Sequence, residues 1–543
     1  MCLAACSFFD CDMNKRQLLQ RSAATLASAG LSGAAMFLGR SAHAVPAKPL
    51  GQAQPFDFAV LKGRARALAG QAYKAPPSTL PGPLARMDWD TWQSIRFKDE
   101  HGLWKDQKLN FQAKFFHLGF TVTTPVRMYE VVGGQATELA YDGEMFDYAK
   151  TGIKPGELPA SLGFAGFRLN FYNDWVRDVA AFQGASYFRA VGADRQYGQS
   201  ARGLAINTGA AQPEEFPNFV AYYLERPQPG SNTVTVYGLL DSPSTTGAYQ
   251  FVMTPGENYI MEIDAALYPR TTVKSVGIGP LTSMYQHGEN DKRMANDWRP
   301  EIHDTDGLQM WAGSGEWIWR PLVNPPGVQT STFADDNPRG FGLMQRDRDF
   351  NHYQDDGVFY DKRPSVWVEP KGNWGQGEVR LVEIPTADET FDNIVAFWQP
   401  KDPLQAGQER LFSYRLTWGA FGTARSPLAM AVATRTGIGG IVGQPRKRFS
   451  WRFAIDFSGE ALSKLPRSAL VEPVITASRG KIELTSARPL DAINGWRAMF
   501  DLVPDDSSTP VDLRLYLKAG NATLTETWLY KYLPPPPTAR PLI

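Results

Sequence analysis

Carboxylates and aromatic side chains occur together in three stretches of the chain. The stretch PEIHDTDGLQMWAGSGEWIWRP (300–321) contains Asp304 and three tryptophans, and TADETFDNIVAFWQP (386–400) contains Asp392. Between them, residues 333–370 place further charged residues among Phe and Tyr. Sugar rings stack on aromatic faces, and a pair of carboxyl groups can cleave a glycosidic bond, one as acid and one as base. This composition favours carbohydrate chemistry.

Composition does not by itself select two aspartates among the 56 acidic residues of the chain. A single acidic residue in a loop more often caps a turn or joins a surface ion pair. A tryptophan in a β-domain more often belongs to the core. From the residues alone, both interpretations of Asp304 and Asp392 stay open.

Other catalytic chemistries lack their sequence signatures. There is no HExxH motif and the histidines are scattered, so a zinc site is not supported. DTDG at 304–307 resembles part of a calcium loop but lacks the third ligand and the terminal Glu. GIGGIVG at 437–443 misses the dinucleotide spacing, and there is neither a P-loop nor a nucleophile elbow after residue 44. We therefore predict neither a metal nor a cofactor.

The N-terminal residues predict export. From Met13 the chain has a basic start, a short apolar run and small residues at 42–44, which is typical of a signal peptide. Lys15 and Arg16 precede Gln-Leu-Leu, which resembles a twin-arginine-type signal with one of its two arginines. We predict an export signal in 1–44, with translation starting at Met13 and all three cysteines upstream of it. Thiol chemistry is then excluded.

The charge balance and the rest of the chain limit the partners. Basic and acidic residues both number 56, so no net charge favours nucleic acid or an anionic membrane surface. After the export signal, no apolar stretch is long enough to span a bilayer. We therefore predict no nucleic-acid partner and no membrane span.

Alternating apolar and polar residues predict an all-β fold after one helix at 56–73, with Leu61, Ala65, Leu68 and Ala72 on one face. Strands are predicted at 233–240, 259–267, 365–370, 378–385, 411–418, 452–457, 470–477, 481–486, 511–520 and 523–533. The Pro- and Gly-rich segment 397–410 predicts a boundary between domains at 45–400 and 408–543. About seven short strands in the second domain are typical of an immunoglobulin-like sandwich, closing with a hairpin at 519–521.

Long, unusual strings of residues resemble the family of osmoregulated periplasmic glucan biosynthesis proteins, and its D-type members most. The strings are LGFAGFRLNF (162–171), GASYFRAVGADRQYGQSARGLAI (184–206), EEFPNF (214–219), YGLLDSPSTTGAYQF (237–251), PLTSMYQHGEN (280–290), NPRGFGLMQRDRDFNHYQD (337–355), KRPSVWVEP (362–370) and ETWLYKYLPPPP (526–537). The resemblance implies a periplasmic protein with a large galactose-mutarotase-like β-sandwich followed by a smaller immunoglobulin-like β-sandwich.

The resemblance also implies an activity and its residues. Members of the family are endo-acting β-1,2-glucanases that invert the anomeric centre. Their general base falls in EIHDTD, at Asp304, and their general acid falls in ETFDN, at Asp392. Tyr360 matches a further member of the site. An inverting pair of carboxyls is spaced about 6.5–9.5 Å apart to admit a water. We expect Asp392 to be the more desolvated of the two, so that it keeps its proton.

For the glucose subsites we select aromatic and arginine side chains from the same stretches. The candidates are Tyr187, Trp311, Trp317, Arg320, Arg339 and Trp374, together with His303, which either orients Asp304 or is a structural histidine. The expected partners are β-1,2-glucan and a membrane glucan synthase.

Two other functions stay open. A non-catalytic accessory protein would use the same aromatics to hold nascent glucan, and a sandwich of this kind could epimerise free aldoses. One departure from the D-type members is that residues 434–451 form a shorter segment. If this segment covers the substrate in the family, the cleft of this protein is more open.

Overall fold

The computed structural model describes residues 48–76, 80–149, 151–422 and 425–542. The predicted export signal, including Met13 and the three cysteines, lies outside the described residues. Strands make up 47% of the structure and helices 10%, so the all-β prediction is confirmed. Within the described ranges, no helix has the length and apolar character needed to cross a membrane.

The largest sheet, called here the large sheet, contains strands from both ends of the chain. In order across the sheet they are Pro49–Pro55, Gln135–Leu139, Arg127–Val132, Asn218–Glu225, Val234–Asp241, Thr245–Thr254, Tyr259–Pro269, Arg410–Gly419, Ser365–Lys371, Gly340–Met344, Gly307–Trp311, Trp317–Pro321, Thr527–Tyr532, Val511–Ala519 and Glu472–Ala477, with Ala522–Thr523 beside Val511–Ala519. Strand Trp317–Pro321 pairs in parallel with Thr527–Tyr532, and this pairing joins the two halves of the chain.

A second sheet packs against the first half of the large sheet. In order, its strands are Gln329–Asp336, Gln376–Glu383, Ile394–Pro400, Val276–Ser283, Ser200–Arg202, Tyr187–Ala190, Asp174–Gln183, Gly166–Phe171 and Phe111–Phe116, with Ala205–Ile206 beside Val276–Ser283. Apolar residues that alternate along the strands meet between the two sheets. Phe182 of the second sheet, for example, packs edge-on against Phe251 of the large sheet at 5.2 Å between ring centroids.

The helix Phe58–Ala69 covers the outer face of the large sheet, where its Leu61 and Ala65 are fully buried. It begins later than predicted because Asp57 caps its N-terminus by accepting a hydrogen bond from the Val60 N–H at 2.7 Å, and it ends earlier, with Gly70 as its C-cap. The other helices are short: Gly82–Ala85, Trp89–Gln93, Phe350–Tyr353 and Glu460–Ser463, and the 3-10 turns Asp99–His101, Lys105–Gln107, Gly143–Met145, Pro155–Glu157, Tyr360–Lys362, Asp491–Ile493 and Pro537–Ala539.

A four-stranded sheet covers the far end of the large sheet and forms a second sandwich with it. Its strands, in order, are Met430–Ile438, Trp451–Ser458, Gly495–Val503 and Lys481–Leu490. Phe453 and Phe500 of this sheet pack against Trp528 of the large sheet. Two short pairs complete the fold: Tyr285–His287 with Ile302–His303, and Arg96–Phe97 with Phe146–Asp147.

One strand lies in a different sandwich from the one predicted. Arg410–Gly419, assigned from sequence to the C-terminal domain, pairs with Tyr259–Pro269 on one side and Ser365–Lys371 on the other. Residues 401–409 of the Pro- and Gly-rich segment form a loop from strand Ile394–Pro400 of the second sheet to Arg410–Gly419 of the large sheet. The predicted closing hairpin is confirmed, since Ala519 pairs with Ala522 around a two-residue turn.

Candidate active site

Asp304 and Asp392 lie on two loops that one backbone segment holds in place. The Asp304 N–H donates to the Met284 carbonyl at 2.9 Å. The next residue of that segment fixes the second loop: the Tyr285 N–H donates to the Asn393 side-chain oxygen at 2.8 Å, and the Asn393 amide donates back to the Tyr285 carbonyl at 3.0 Å. Residues far apart in sequence are thus brought to neighbouring points of one segment.

Asp304 forms a buried ion pair with Arg363. Its carboxylate accepts a hydrogen bond from the Arg363 guanidinium, and the side chains are 5% and 9% exposed. The Arg363 guanidinium carbon lies 4.2 Å from the centroid of the Tyr360 ring. The Tyr360 hydroxyl donates to Glu389, which also accepts two hydrogen bonds from Arg299, at 2.9 and 3.1 Å. A continuous chain of contacts therefore holds Asp304 in place; its members are Arg363, Tyr360, Glu389 and Arg299.

Asp392 is buried to a similar extent, with its side chain 3% exposed, but its charge is less well compensated. An Arg189 nitrogen lies 3.9 Å from one of its oxygens, beyond hydrogen-bond distance, and the Arg189 Nε donates to Ser200 at 2.6 Å. Burial raises the pKa of Asp392 to about 6, the charge of Arg189 opposes this, and the charge of Asp304 adds to it. The two carboxyls thus differ in their charge partners more than in their exposure.

Tyr187 belongs to the same group of side chains. Its ring centroid lies 4.8 Å from the Arg202 guanidinium carbon, and Arg202 is held by Glu214 at 2.7 Å and Thr282 at 2.8 Å. The Tyr187 hydroxyl is buried and makes no hydrogen bond within the described residues. Burial raises the pKa of Tyr187 to about 12, and the charge of Asp392 contributes to the rise. Of the predicted subsite residues, this is the one placed beside the carboxyl pair.

His303 follows the structural alternative. Its Nδ1 lies 3.1 Å from the side-chain oxygen of Gln345 and its Nε2 lies 3.0 Å from Glu301. Both partners accept, because the Gln345 amide nitrogen already donates to three other oxygens, so the imidazole carries two protons. Burial disfavours the charged ring, but the hydrogen bond to Glu301 and its charge outweigh this and raise the pKa of His303. Neither ring nitrogen is directed to Asp304.

Trp311, Trp317 and Arg339 lie at the junction of the two sandwiches. The two indoles stack at 4.9 Å between centroids, and the Arg339 guanidinium covers Trp311 at 5.2 Å. Trp317 is 4% exposed and packs in the core that includes Trp528 of the C-terminal sandwich. Trp317 is enclosed by protein, whereas Trp311 is half-buried and Arg339 is exposed, so a role of the last two in sugar binding stays a prediction.

Arg320 and Trp374 are also enclosed by protein. Arg320 is 2% exposed and forms an ion pair with Glu383 at 2.9 Å. Trp374 is 4% exposed in the first core, and its indole N–H donates to the Ser413 carbonyl at 3.2 Å. Because both side chains are buried and their polar groups already bond within the protein, neither has a surface that a sugar could contact.

A second acidic cluster adjoins His303, the residue before Asp304. Carboxylate oxygens of Glu289, Glu301 and Asp347 all lie within 4.8 Å of one another. Burial, followed by the charge of Glu301, raises the pKa of Glu289 to about 8. Glu289 therefore keeps its proton at neutral pH, which lowers the repulsion within the cluster. It also accepts a hydrogen bond from the Thr434 N–H at 2.7 Å, so the cluster connects the two sandwiches.

The sequence analysis missed four residues that support the carboxyl pair: Arg189, Arg299, Arg363 and Glu389. Arg189 and Arg363 stand in strings that carry the family resemblance, and Glu389 precedes Asp392 by three residues. Their positions in these strings were a usable signal. Their ion-pair partners, however, are set by tertiary structure.

Comparison with known proteins identifies the family. Residues 56–532 match the family described as "Periplasmic glucan biosynthesis protein, MdoG". Over 525 residues the chain is 61% identical to "Glucans biosynthesis protein D" of Stenotrophomonas maltophilia (strain K279a), covering 96% of this chain and 98% of the relative. A protein of the same name from Xanthomonas campestris pv. campestris is 60% identical over 531 residues, covering 97% and 99% of the two chains. The chain therefore belongs to the periplasmic glucan biosynthesis protein family, as its resemblance predicts.

Proposed function

We propose that this chain is a periplasmic endo-β-1,2-glucanase that inverts the anomeric centre and tailors the backbone of osmoregulated periplasmic glucans. The observation that carries the proposal is a pair of buried carboxyls with different charge partners. Asp304 is paired with Arg363, whereas burial raises the pKa of Asp392 to about 6. Two carboxyls whose environments separate their protonation are the arrangement that glycoside hydrolysis needs.

In the proposed reaction, protonated Asp392 acts as general acid. It gives its proton to the glycosidic oxygen as the bond to the anomeric carbon breaks, and the departing sugar leaves with a free hydroxyl. Ionised Asp304 acts as general base and takes a proton from the water that attacks the opposite face of the sugar. The new hydroxyl is therefore formed with inversion. Both carboxyls then exchange protons with solvent to restore their starting states.

Tyr360 and Arg363 would hold the base in position. The Tyr360 hydroxyl is engaged with Glu389, and its ring lies against the Arg363 guanidinium. Burial raises the pKa of Tyr360 well above its ordinary value, so the hydroxyl stays protonated. The Tyr360 hydroxyl can therefore donate a hydrogen bond or pass on a proton near Asp304, but it does not itself become an anion.

The second candidate is a non-catalytic accessory that binds glucan during its synthesis, with a membrane glucan synthase as partner. The names of the relatives, which refer to biosynthesis, favour this candidate. A binding protein alone, however, would gain nothing from burying two acids together, because desolvating a carboxyl costs stability.

In either role we propose a twin-arginine-type signal in 1–44 as the route to the periplasm.

The test is hydrolysis of linear β-1,2-glucan by purified protein. Wild type should shorten the chains, and Asp392→Asn and Asp304→Asn should lose at least about a hundredfold in rate, the usual loss for a general acid or base. Asp402→Asn, at an exposed position on the loop before strand Arg410–Gly419, is the matched control. Optical rotation during the reaction reports the anomer released. Wild type that binds glucan without shortening it would overturn the hydrolase and leave the accessory.

A further inference from the structure

The exposed aromatic side chains near the carboxyl pair differ from those predicted to bind sugar. Trp298 is 72% exposed, Phe391 is 48% exposed and Phe216 is 40% exposed. Single exposed apolar side chains are common on protein surfaces and need no explanation of their own. These three, however, each adjoin a residue of the site in sequence or in space.

Trp298 lies beside the ion pairs that tie Arg299 to the loop of Asp392. It directly precedes Arg299, whose guanidinium is held by Asp297 at 3.0 Å, Asp355 at 2.7 Å and Glu389 at 2.9 Å. Glu389 in turn belongs to the chain that supports Asp304. The backbone at 298 is therefore anchored by its neighbour while the indole itself faces solvent.

Phe391 lies on the Asp392 side. It directly precedes Asp392, whose side chain is 3% exposed, so the phenyl ring faces outward where the carboxyl faces inward. Asn393, the residue after Asp392, is fixed by its two hydrogen bonds to Tyr285. This ring also projects from an anchored segment.

Phe216 adds a second aromatic surface on that side. The Arg202 guanidinium carbon lies 5.6 Å from its ring centroid and 4.8 Å from that of Tyr187. The charge of Arg202 lowers the pKa of Asp392, although burial remains the dominant cause and raises it. Phe216, Arg202 and Tyr187 thus extend the surface that begins at the acid.

We propose that Trp298, Phe391 and Phe216 are stacking platforms for glucose units of the polymer beside the carboxyl pair. The proposal rests on the proposed function, because it takes a glucan chain as the ligand. Exposed rings on rigid backbone bind C–H faces at small entropic cost. A glucan chain that contacts more than one of these rings is held along several glucose units next to the carboxyl pair, as cleavage away from the chain ends requires.

The experiment measures binding of linear β-1,2-glucan oligosaccharides to the Asp392→Asn protein, in which turnover does not interfere. Adding Trp298→Ala or Phe391→Ala should weaken binding roughly tenfold, as removal of about 50 Å² of apolar contact predicts. Trp298→Phe should restore most of the affinity. Tyr172→Ala, which removes a 52% exposed aromatic ring after strand Gly166–Phe171, should leave affinity unchanged.

Fluorescence gives a readout that a structural effect would not produce. Glucan should shift the tryptophan emission to shorter wavelength in the Trp298-containing protein, and the shift should largely disappear in Trp298→Phe while binding persists. Unchanged affinity and an unchanged shift in the Trp298 variants would overturn the platforms even if wild type cleaves glucan. Weaker binding by Trp298→Ala in a protein that does not cleave glucan would support the platforms and overturn the hydrolase. Absence of glucan binding by the parent protein would overturn both.

Discussion

Replacing the proposed acid should make the protein more stable while it loses activity. Burial raises the pKa of Asp392 from 3.8 to about 6, so the folded protein holds this proton at pH values where the unfolded chain has released it. Below pH 3.8 both states are protonated and the shift has no effect on stability. From pH 3.8 to 6 the folded state loses stability as pH rises, and above pH 6 the penalty is complete. Asparagine has nearly the same shape and carries no charge, so Asp392→Asn removes the penalty.

The size of the effect follows from the shift in pKa. A difference of about 2 units corresponds to about 3 kcal/mol at 1.36 kcal/mol per unit. No discount for solvent screening is needed, because the side chain is 3% exposed. The entropy of unfolding for about 500 residues is about 1 kcal/mol/K, so Tm should rise by about 3 °C at pH 7.5.

Differential scanning calorimetry of wild type and variant at pH 7.5 and pH 4 measures this difference. The increase of about 3 °C at pH 7.5 should shrink to less than about 1 °C at pH 4, where the carboxyl is neutral in folded wild type and only partly ionised in the unfolded chain. Asp402→Asn, at an exposed position, should change Tm at neither pH. If Asp392→Asn melts at or below the wild-type temperature at pH 7.5, or if its advantage is as large at pH 4, Asp392 does not carry an unfavourable buried charge.

Three further predictions concern the charges of buried groups. The rate of glucan hydrolysis should fall as pH rises through about 6, because Asp392 must be protonated to act as acid; a rate that is constant from pH 5 to 8 would contradict this. Arg363→Gln should move that fall to higher pH in the pH–rate profile, since the charge of Arg363 lowers the pKa of Asp392; an unmoved or lowered midpoint would count against it. Glu289→Gln should raise Tm at pH 8 but not at pH 4.5, because burial raises the pKa of Glu289 and its folded-state penalty grows over that range; equal melting curves at pH 8 would refute the shift.

The alternation of apolar residues was enough to predict the all-β class and the approximate positions of strands such as Tyr259–Pro269. The same signal could not assign strand Arg410–Gly419 to its sandwich. A cluster of Pro and Gly marks a loop, and the sequence of a loop does not say whether it crosses between sheets or between domains. Phe412, Tyr414 and Leu416 would suit a core in either place, and only pairing with Tyr259–Pro269 decides between them.

The candidate site depended on the family resemblance more than on composition. Asp304 and Asp392 were selected because their motifs match the family, and the structure brings their loops to one backbone segment. The tryptophans were selected by residue type, which serves a core and a sugar site equally well. Trp317 and Trp374 are covered by strands distant in sequence, whereas Trp298 was not selected although it is exposed beside the site. Local sequence does not encode which faces distant strands will cover.

The parallel pairing of Trp317–Pro321 with Thr527–Tyr532 has a consequence for how the protein matures. A strand near the middle of the chain keeps an open hydrogen-bonding edge until the last residues have been synthesised. Until then Trp317 and Trp319 lack the cover of Trp528, and the edge can recruit a strand from another molecule. Chains truncated before residue 527 should therefore aggregate rather than yield a soluble N-terminal half, and an affinity tag at the C-terminus will select molecules in which the sheet can close.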